Sequence, residues 1–286
     1  MSIDVTSLGS ALGAEVRGID PTRPLGAREV DLVRRAWLEY LVLVFRGARL
    51  SDDQLVAFSG QFGTLDRVPS WHQYHVPDYP QVLVVSNVRE EGKPIGVLGD
   101  GEAAWHTDMS YIELPPTASL LHALEIPAAG GDTYWMNMYA AYEALPANMK
   151  RRAASLQLNH DSSTDSSGVV RPGHEIVGDV SQAPGARHPL VRLHPETRRP
   201  ALYLGRRLNA YVVGLSVADS EALLDELWAH CMRDEFVYRH RWRVGDLIMW
   251  DNRCTMHRRD PFDKAARRIM HRTELIGDVP LGMGAA

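Results

Sequence analysis

Apolar residues in the first third of the chain alternate between helical and strand patterns. In residues 26–40 they recur at the spacing of one helix face. The next segment, YLVLVF (residues 40–45), is a continuous apolar run whose length is typical of a buried strand. Ser51 then precedes two aspartates, which is a helix-start signal, so the pattern predicts a short helix within residues 50–65. Residues 81–88 again have the composition of a strand.

Beyond residue 103 the pattern changes to short apolar segments separated by turn residues, which is typical of antiparallel strands. Two helical segments interrupt them, at residues 138–146 and 216–232, and the second has an apolar stripe with Ser216 as a candidate N-cap. Strands on both sides of these helices predict a mostly β fold with flanking helices, either a β-sandwich or a jelly roll. The predicted strands are residues 117–126, 132–138, 188–194, 201–205, 246–252 and 267–275.

No repeat, low-complexity tract or linker divides the chain, so we expect residues 1–286 to form a single domain. The most polar and least periodic stretch is NHDSSTDSSGVVRPGHEIVGD (residues 159–179), which is rich in Ser, Asp and Gly. This composition predicts a long loop inserted in the domain. Loops of that length often cover a site, so we expect this one to lie near the active site.

Composition excludes several classes of protein. The net charge is −5 and the arginines are scattered, which is not the electrostatic pattern of a nucleic-acid-binding protein. No apolar run approaches the length of a membrane span, and the first ten residues have no features of a signal peptide. The two cysteines, Cys231 and Cys254, cannot build a disulfide framework. We therefore expect a cytoplasmic protein whose cysteines are packing residues rather than nucleophiles.

The segment AAWHTDMSY (residues 103–111) contains the first candidate for chemistry. If it is a strand, His106 and Asp108 point to the same face, because successive side chains alternate. An imidazole and a carboxylate at this spacing can fill two positions of a divalent metal, although a solvated strand edge can carry the same residues. A facial triad needs a second imidazole, and His257, after the strand at 246–252, is the best candidate among the histidines.

Two arginines near the C-terminus, Arg268 and Arg272, share a face of the predicted strand at 267–275. Buried arginines are costly unless each meets an anion. A guanidinium matches a carboxylate with two parallel hydrogen bonds. The pattern therefore predicts two anionic groups at this face, which are either ligands near the metal or acidic side chains in structural salt bridges.

Longer motifs extend over nearly the whole chain and include the candidate residues. They resemble the family that contains taurine dioxygenase and 2,4-dichlorophenoxyacetate dioxygenase, whose members are Fe(II)- and 2-oxoglutarate-dependent oxygenases. The segments that carry the resemblance are LGAEVRGID (12–20), LVFRGARLSDDQLVAFSGQFGTLD (43–66), WHTDMSYIELPPTASLLHALEIPAAGGDTYWMNMYAAYEALP (105–146) and GDLIMWDNRCTMHRRDPFDKAARRIMHRTELIGD (245–278).

The resemblance implies a fold, a metal site and two cosubstrates. The fold would be a double-stranded β-helix, which is a jelly roll. Iron would be bound by His106, Asp108 and His257, and the cosubstrates would be 2-oxoglutarate and O₂. The distal carboxylate of 2-oxoglutarate would be held by Arg268 and by the hydroxyl of Thr133.

The resemblance also bears on the primary substrate. In taurine-type members the arginine matching Arg272 binds the anion of the substrate, so we expect a small sulfonate, carboxylate, sulfate ester or phosphonate. An asparagine is expected four residues before the first iron ligand, whereas this chain has Glu102, which speaks against taurine itself. His72 is a further candidate for contact with the substrate, with Tyr74 and His75 as alternatives in the same segment.

The predicted reaction is hydroxylation of a small organic anion, coupled to conversion of 2-oxoglutarate to succinate and CO₂. One alternative keeps the cofactors and gives desaturation, epoxidation or cyclisation in a biosynthetic pathway. Another is a non-catalytic jelly-roll module that binds a metal for structure, although a structural zinc site is normally closed by four protein ligands. Because homo-oligomers are common in the family, we expect a dimer or tetramer.

Overall fold

A nine-stranded sheet and a four-stranded sheet form the centre of the computed structural model, which describes residues 3–9, 11–67, 69–99 and 103–284. Neighbouring strands of the large sheet are antiparallel except for two parallel pairs. In order across the sheet they are Asp4–Ser7, Ala14–Arg17, Val42–Phe45, Leu247–Asp251, Ala118–Glu125, Ile269–Leu275, Tyr79–Ser86 and His75–Val76, with Val97–Leu98 also paired to Tyr79–Ser86. The antiparallel small sheet has the order Val237–His240, Thr133–Asn137, Thr255–Arg259 and Ala103–His106.

Helices and shorter strands surround these two sheets. The described residues form α-helices α1 (Ala27–Tyr40), α2 (Asp52–Ser59), α3 (Met138–Glu143), α4 (Ala147–Ala154) and α5 (Val217–Cys231). The 3₁₀ helices are Pro69–Tyr74, Val180–Gln182 and Asp234–Phe236. The shorter strands are Gly185–Pro189, Gln157–Asp161 and Tyr211–Val212 in one sheet, Pro200–Leu202, Val191–Leu193 and Leu281–Gly282 in another, and Arg89–Glu90 with Lys93–Pro94 in a hairpin. Within the described ranges, no helix is long and apolar enough to cross a membrane.

The prediction of a mostly β fold with flanking helices is confirmed, and the two main sheets are open in strand order. Every strand predicted beyond residue 103 is present, although the one expected at 188–194 is divided between two sheets. Helix α4 was not predicted. It has only two buried residues, Met149 and Ala153, so its sequence carries no clear apolar period.

Both faces of the large sheet are buried, which explains the continuous apolar run at residues 40–45. Val42 and Val44 belong to the core cluster that also contains Trp135 and Met256 of the small sheet. The intervening Leu43 faces the cluster that includes α1 and α2. Since side chains alternate along a strand, the same short segment supplies both cores. The first core lies between the two main sheets.

Helix starts were predicted more accurately than helix ends. Helix α2 begins after Ser51, whose backbone N–H donates to Gln54 Oε1 at 3.0 Å in a capping box. The helix ends at Ser59, well before residue 65, where the predicted segment ends. Ser216 caps α5, since its hydroxyl accepts a hydrogen bond from the backbone N–H of Asp219 at 3.1 Å.

The predicted loop at 159–179 is a loop only after its first three residues. Residues 159–161 belong to the strand Gln157–Asp161, and their polar side chains are buried. The rest of the segment contains no α-helix or strand, apart from an isolated bridge between Thr164 and Val170. The sequence prediction was wrong for 159–161 because polar residues in a buried strand have the composition of a loop.

Both cysteines are free and buried, as their expected packing role requires. Burial raises the pKa of Cys231 to about 12 and raises the pKa of Cys254 well above its usual range. Thiols with such pKa values are poor nucleophiles, because the thiolate is the reactive form.

Candidate metal and cosubstrate site

Two histidines and an aspartate converge between the main sheets. His106 lies directly opposite His257 on neighbouring strands of the small sheet, with 4.2 Å between the ring centroids. Asp108 Oδ1 lies 3.7 Å from His106 Nε2 and 3.8 Å from His257 Nε2. All three residues are buried, and one ligand atom from each lies within 4.8 Å of the others. The structure therefore brings together the three residues predicted to bind the metal.

The way in which Asp108 reaches the site differs from the prediction. The strand ends at His106, and Asp108 lies in the turn that follows, before Met109 with a φ of +44°. The prediction that His106 and Asp108 share one face of a strand was therefore wrong. A turn immediately after a strand end can fold the carboxylate back beside the imidazole. The turn is held by the hydroxyl of Thr107, which donates to the carbonyl of Thr255 at 3.2 Å.

Both imidazoles are prepared to bind a metal through Nε2. The Nδ1–H of His106 donates to the carbonyl of Ala104 at 2.7 Å, which leaves Nε2 with a free lone pair. The ring of His257 packs edge-on against Trp250, with 5.0 Å between centroids. Burial, together with neighbouring His106, lowers the pKa of His257 to about 3, so this ring is neutral at physiological pH.

Hydrogen bonds hold the carboxylate of Asp108 in place. Ser119 donates to Asp108 Oδ2 at 2.7 Å and accepts from Asn252 Nδ2 at 2.9 Å, while Trp250 Nε1 donates to Asn252 Oδ1 at 2.9 Å. Arg272 donates to Asp108 Oδ1 at 3.2 Å. Burial alone would raise the pKa of Asp108, but nearby Arg272 and the histidines lower it well below its usual range. Asp108 is therefore ionised, as a metal ligand must be.

A pocket beside the triad is lined by side chains from both main sheets. Its walls include Ala103, His106, Thr133, His257 and Arg259 from the small sheet, and Val85, Leu121, Trp250 and Arg272 from the large sheet, with Arg268 just before a strand of the latter. Arg268 is only 3% exposed, and its Nε–H has no hydrogen-bond partner among the described residues. Burial and neighbouring Arg259 lower the pKa of Arg268 to about 9. A buried guanidinium in this state requires an anionic ligand.

Thr133 adds a hydrogen-bond donor to this pocket. Its hydroxyl oxygen accepts from Trp242 Nε1 at 2.9 Å, so the hydroxyl proton is available to a ligand. The preceding pair Gly130 and Gly131 has φ values of +75° and +69°. A Cβ on Gly130 would lie 2.7 Å from the carbonyl oxygen of Pro261, so only glycine fits this turn.

The two predicted arginines differ in their partners. Arg272 contacts two carboxylates, Asp108 at 3.2 Å and Glu274 at 3.4 Å, and is therefore in part a structural ion pair. Arg268 forms no ion pair with the described part of the chain and lies one residue before the strand Ile269–Leu275. Of the two interpretations left open by the sequence, side-chain salt bridges apply to Arg272 and an external anion suits Arg268.

A second pocket adjoins the metal triad and contains arginines that were not predicted. His106, Asp108 and Arg272 form part of its lining, together with Tyr111, Asp165 and Ser166 and two further cations, Arg171 and Arg206. Arg171 lies in the loop after residue 161, and Arg206 lies between the strands Pro200–Leu202 and Tyr211–Val212. Loops have no side-chain period, so the sequence offered no signal for the direction of either side chain.

Of the remaining residues predicted to contact the substrate, those that the structure describes do not line the site. His72 is exposed in the 3₁₀ helix Pro69–Tyr74, and neither it nor the partly buried Tyr74 and His75 lines the two pockets as far as the structure describes them. Glu102 lies outside the described residues. The roles of His72 and Glu102 in substrate binding therefore stay predictions.

Two imidazoles and one carboxylate with their ligand atoms close together are the ligand set that is typical of non-haem iron oxygenases. Comparison with known proteins identifies the family. The family described as "Taurine catabolism dioxygenase TauD, TfdA family" matches residues 4–273. The chain therefore belongs to the TauD/TfdA family of dioxygenases, as the sequence motifs indicated.

Individual relatives cover nearly the full length of the chain. It is 36% identical to the alpha-ketoglutarate-dependent 2,4-dichlorophenoxyacetate dioxygenase of Cupriavidus pinatubonensis, over 97% of this chain and 99% of that protein. It is 34% identical to pentalenolactone F synthase of Streptomyces arenae, over 98% and 97% of the two chains. A taurine dioxygenase crystal structure from Burkholderia xenovorans is 36% identical, with a TM-score of 0.82 over 100% of this chain and 95% of the other.

Proposed function

We propose that this chain hydroxylates a small organic anion, using Fe(II), 2-oxoglutarate and O₂. His106, Asp108 and His257 would hold the iron, and Arg268 with Thr133 would hold the distal carboxylate of 2-oxoglutarate. The observation that carries the proposal is the buried, unpaired guanidinium of Arg268 in the pocket that adjoins the triad. A metal site without a cosubstrate would not need a buried cation there.

The residues of the chain position and protect the reactants. When bound, iron and 2-oxoglutarate supply the oxidising chemistry with O₂, and succinate and CO₂ are the co-products. Ser119 and Arg272 fix the orientation of Asp108. Trp250 and Leu121 line the cosubstrate pocket with apolar surface, which excludes bulk water and strengthens the contact of a carboxylate with Arg268.

The primary substrate would carry one anionic group such as a carboxylate, sulfonate or sulfate ester. The compounds named for two of the relatives, 2,4-dichlorophenoxyacetate and taurine, carry a carboxylate and a sulfonate. The Nε–H of Arg272 has no partner among the described residues, so this arginine can donate one hydrogen bond to the substrate in addition to its ion pairs. Glu102 and His72 would contact the rest of the substrate.

Family membership supports several further parts of the proposal. The two main sheets would form a double-stranded β-helix, and residues 1–286 would form one domain. The protein would act in the cytoplasm as a homodimer or homotetramer.

A second function uses the same site with a different outcome. The identity of 34% with pentalenolactone F synthase favours an oxidation in a biosynthetic pathway, such as desaturation, epoxidation or cyclisation. The position of the substrate C–H bond relative to the metal would decide between this outcome and hydroxylation. A non-catalytic module is disfavoured because the cosubstrate pocket, with its buried arginine, would serve no purpose.

The test is reconstitution without oxygen, followed by oxygen and a panel of acids. Fe(II) and 2-oxoglutarate should give a metal-to-ligand absorption band, and one acid class should stimulate formation of succinate. The panel contains aryloxyacetates, alkyl sulfates, taurine, longer alkanesulfonates and phosphonates. Product analysis by mass spectrometry distinguishes an added oxygen atom from loss of two hydrogens, and so separates hydroxylation from desaturation.

Asp108→Ala should abolish both the absorption band and succinate formation, whereas Asp278→Ala, at an exposed aspartate, should change neither. An unchanged band in Asp108→Ala would contradict the assignment of the metal ligands.

A further inference from the structure

We propose that Arg171 and Arg206 act beside Arg272 in binding the charged group of the primary substrate, an oxyanion such as a carboxylate, sulfonate or sulfate ester. The inference rests on the proposed function and identifies the part of the site that selects the substrate. Both arginines line the pocket that contains His106, Asp108 and Arg272, so an anion bound there lies next to the metal triad.

The guanidinium of Arg272 already contacts carboxyl groups of the protein. Its two Nη atoms contact the carboxylates of Asp108 and Glu274, at 3.2 and 3.4 Å. Its buried Nε–H has no partner among the described residues and can donate to a substrate, while both Nη atoms also contact carboxyl groups of the protein. Other cations in the pocket add to the attraction for a substrate anion, and Arg171 and Arg206 are the further arginines in its described lining.

Arg206 is held in place by neutral groups. Its Nη1 donates to the carbonyls of Thr164 and Asp165, at 2.6 and 2.9 Å, and to the hydroxyl of Thr164 at 3.1 Å. Its backbone forms an isolated bridge with His106. The Nε atom is buried and has no partner among the described residues. These contacts fix the guanidinium next to the metal triad without neutralising it.

The nearest acidic groups, Asp161 and Asp165, raise the pKa of Arg206 through their charge, but burial and Arg171 outweigh them, and both carboxylates are engaged elsewhere. Asp161 accepts hydrogen bonds from the hydroxyls of Ser163 and Thr164 and from the amide of Asn209. Asp165 accepts from its own loop, at the backbone and hydroxyl of Ser167 and at the backbone of Val169. Neither carboxylate forms an ion pair with Arg206 in the described structure.

Arg171 completes the pair. Its guanidinium carbon lies 3.9 Å from the centroid of the Tyr111 ring, and its Nε is buried without a partner. No described carboxylate lies within ion-pair distance of Arg171. Burial and the nearby charge of Arg171 both lower the pKa of Arg206, so the two guanidinium groups repel each other. Two adjacent guanidinium groups in a partly buried pocket are stabilised when an oxyanion binds between them.

The experiment uses the protein loaded with Fe(II) and 2-oxoglutarate in the absence of oxygen, so that the Arg268 pocket is filled. Inorganic sulfate is titrated into the wild type, Arg171→Gln and Arg206→Gln by calorimetry. In a separate assay with oxygen, KM is measured for the most active acid of the panel. Each variant should weaken sulfate binding and raise KM about 10- to 100-fold, the range for lost hydrogen bonds to a charged group. The affinity for 2-oxoglutarate should change less than twofold.

Arg207→Gln is the matched control. Arg207 is adjacent in sequence but does not line this pocket. Its guanidinium pairs with Glu221 and with Asp225, the latter at 2.7 Å. Its variant should bind sulfate and substrate within twofold of the wild type. Arg206→Lys keeps the charge but loses the planar fork, so it should recover part of the affinity lost in Arg206→Gln.

Several outcomes would overturn the proposal. In the first, Arg171→Gln and Arg206→Gln keep the sulfate affinity and KM of the wild type, whereas Arg272→Gln loses most of its sulfate affinity. That result would assign the anion to Arg272 alone. Absence of sulfate binding to the wild type also contradicts it. If Arg206→Gln loses as much affinity for 2-oxoglutarate as for sulfate, Arg206 has a structural role. The proposal then depends on Arg171→Gln, which removes no backbone contact, and wild-type sulfate affinity in that variant would contradict it. Failure of the proposed function is distinguishable, because it removes the absorption band with 2-oxoglutarate.

Discussion

The two sides of the active site are built in different ways. The cosubstrate side, defined by Thr133 and Arg268, is carried by strands of the two main sheets or by residues next to them. The substrate side, defined by Arg171 and Arg206, is carried by loops. Strand pairing fixes the first group in register, whereas loops accept changes of sequence and length. If the proposed roles hold, the sheets determine the type of reaction and the loops determine which anion is oxidised.

The largest expected effect comes from Arg268→Met, which removes the cation of the cosubstrate side. KM for 2-oxoglutarate should rise about 30-fold or more, since truncating one partner of a buried charge pair costs about 2–5 kcal/mol. The measurement is succinate formation against 2-oxoglutarate concentration. Arg267→Met is the matched control, because Arg267 is exposed and pairs with Glu125 at 2.7 Å away from the pocket.

The same substitution should not destabilise the protein without its cosubstrate. Arg268 is buried and unpaired among the described residues, so exchanging it for Met removes an uncompensated charge. Urea unfolding without 2-oxoglutarate should give a free energy of unfolding that is unchanged or higher by up to about 4 kcal/mol. A clear loss of stability would mean that the structure itself compensates the charge of Arg268, and would contradict its role as an anion site.

Glycine substitutions compare the rigidity of the two sides. Gly130 and Gly173 both have positive φ, at +75° and +82°. A Cβ on Gly130 would collide with the carbonyl of Pro261 at 2.7 Å, whereas a Cβ on Gly173 would have no atom within 4 Å. Gly130→Ala should therefore lower the free energy of unfolding by about 2–4 kcal/mol, and Gly173→Ala by about 1–2 kcal/mol. Equal losses in urea unfolding would show that the turn before Thr133 has room to adjust.

The same difference explains what the sequence could predict. Strands such as Val42–Phe45 carry apolar runs, and family motifs identify His106 and His257, because the sheet restricts which residues can occupy these positions. The contribution of Asp108 was predicted, but its position in a turn was not, since two-residue spacing is the same in a strand and in a tight turn. Arg171 has no comparable signal, because the direction of a loop side chain depends on distant packing.

Thr133→Val tests the smaller contribution on the cosubstrate side. The substitution keeps the shape of the side chain and removes one hydrogen bond to the proposed carboxylate. KM for 2-oxoglutarate should rise about 3- to 10-fold, which corresponds to about 1 kcal/mol. KM for the substrate acid should change less than twofold. Trp242→Phe removes the indole N–H that donates to the Thr133 hydroxyl. A comparable increase of KM in that variant would show that this hydrogen bond orients the hydroxyl toward the carboxylate.

A pH-dependent effect on stability is expected where the two sides meet, at Glu274, which contacts Arg272. Burial raises the pKa of Glu274 to about 7, although the charge of Arg272 acts in the opposite direction. Between about pH 4.5, the usual range for glutamate, and pH 7, the unfolded chain has lost this proton while the folded chain still holds it. The contribution of Glu274 to stability is therefore present at low pH and is lost as pH rises through 7.

Glu274→Gln should remove this dependence, and the exposed Glu226→Gln is the control. From pH 5 to pH 8, the free energy of unfolding of the wild type should fall by about 1–3 kcal/mol relative to that of Glu274→Gln. Urea unfolding of the metal-free protein at four pH values measures it. Parallel curves would mean that Arg272 keeps Glu274 ionised throughout. In that case Arg272 would be fully paired at every pH, and the need for loop arginines to bind the substrate anion would be greater still.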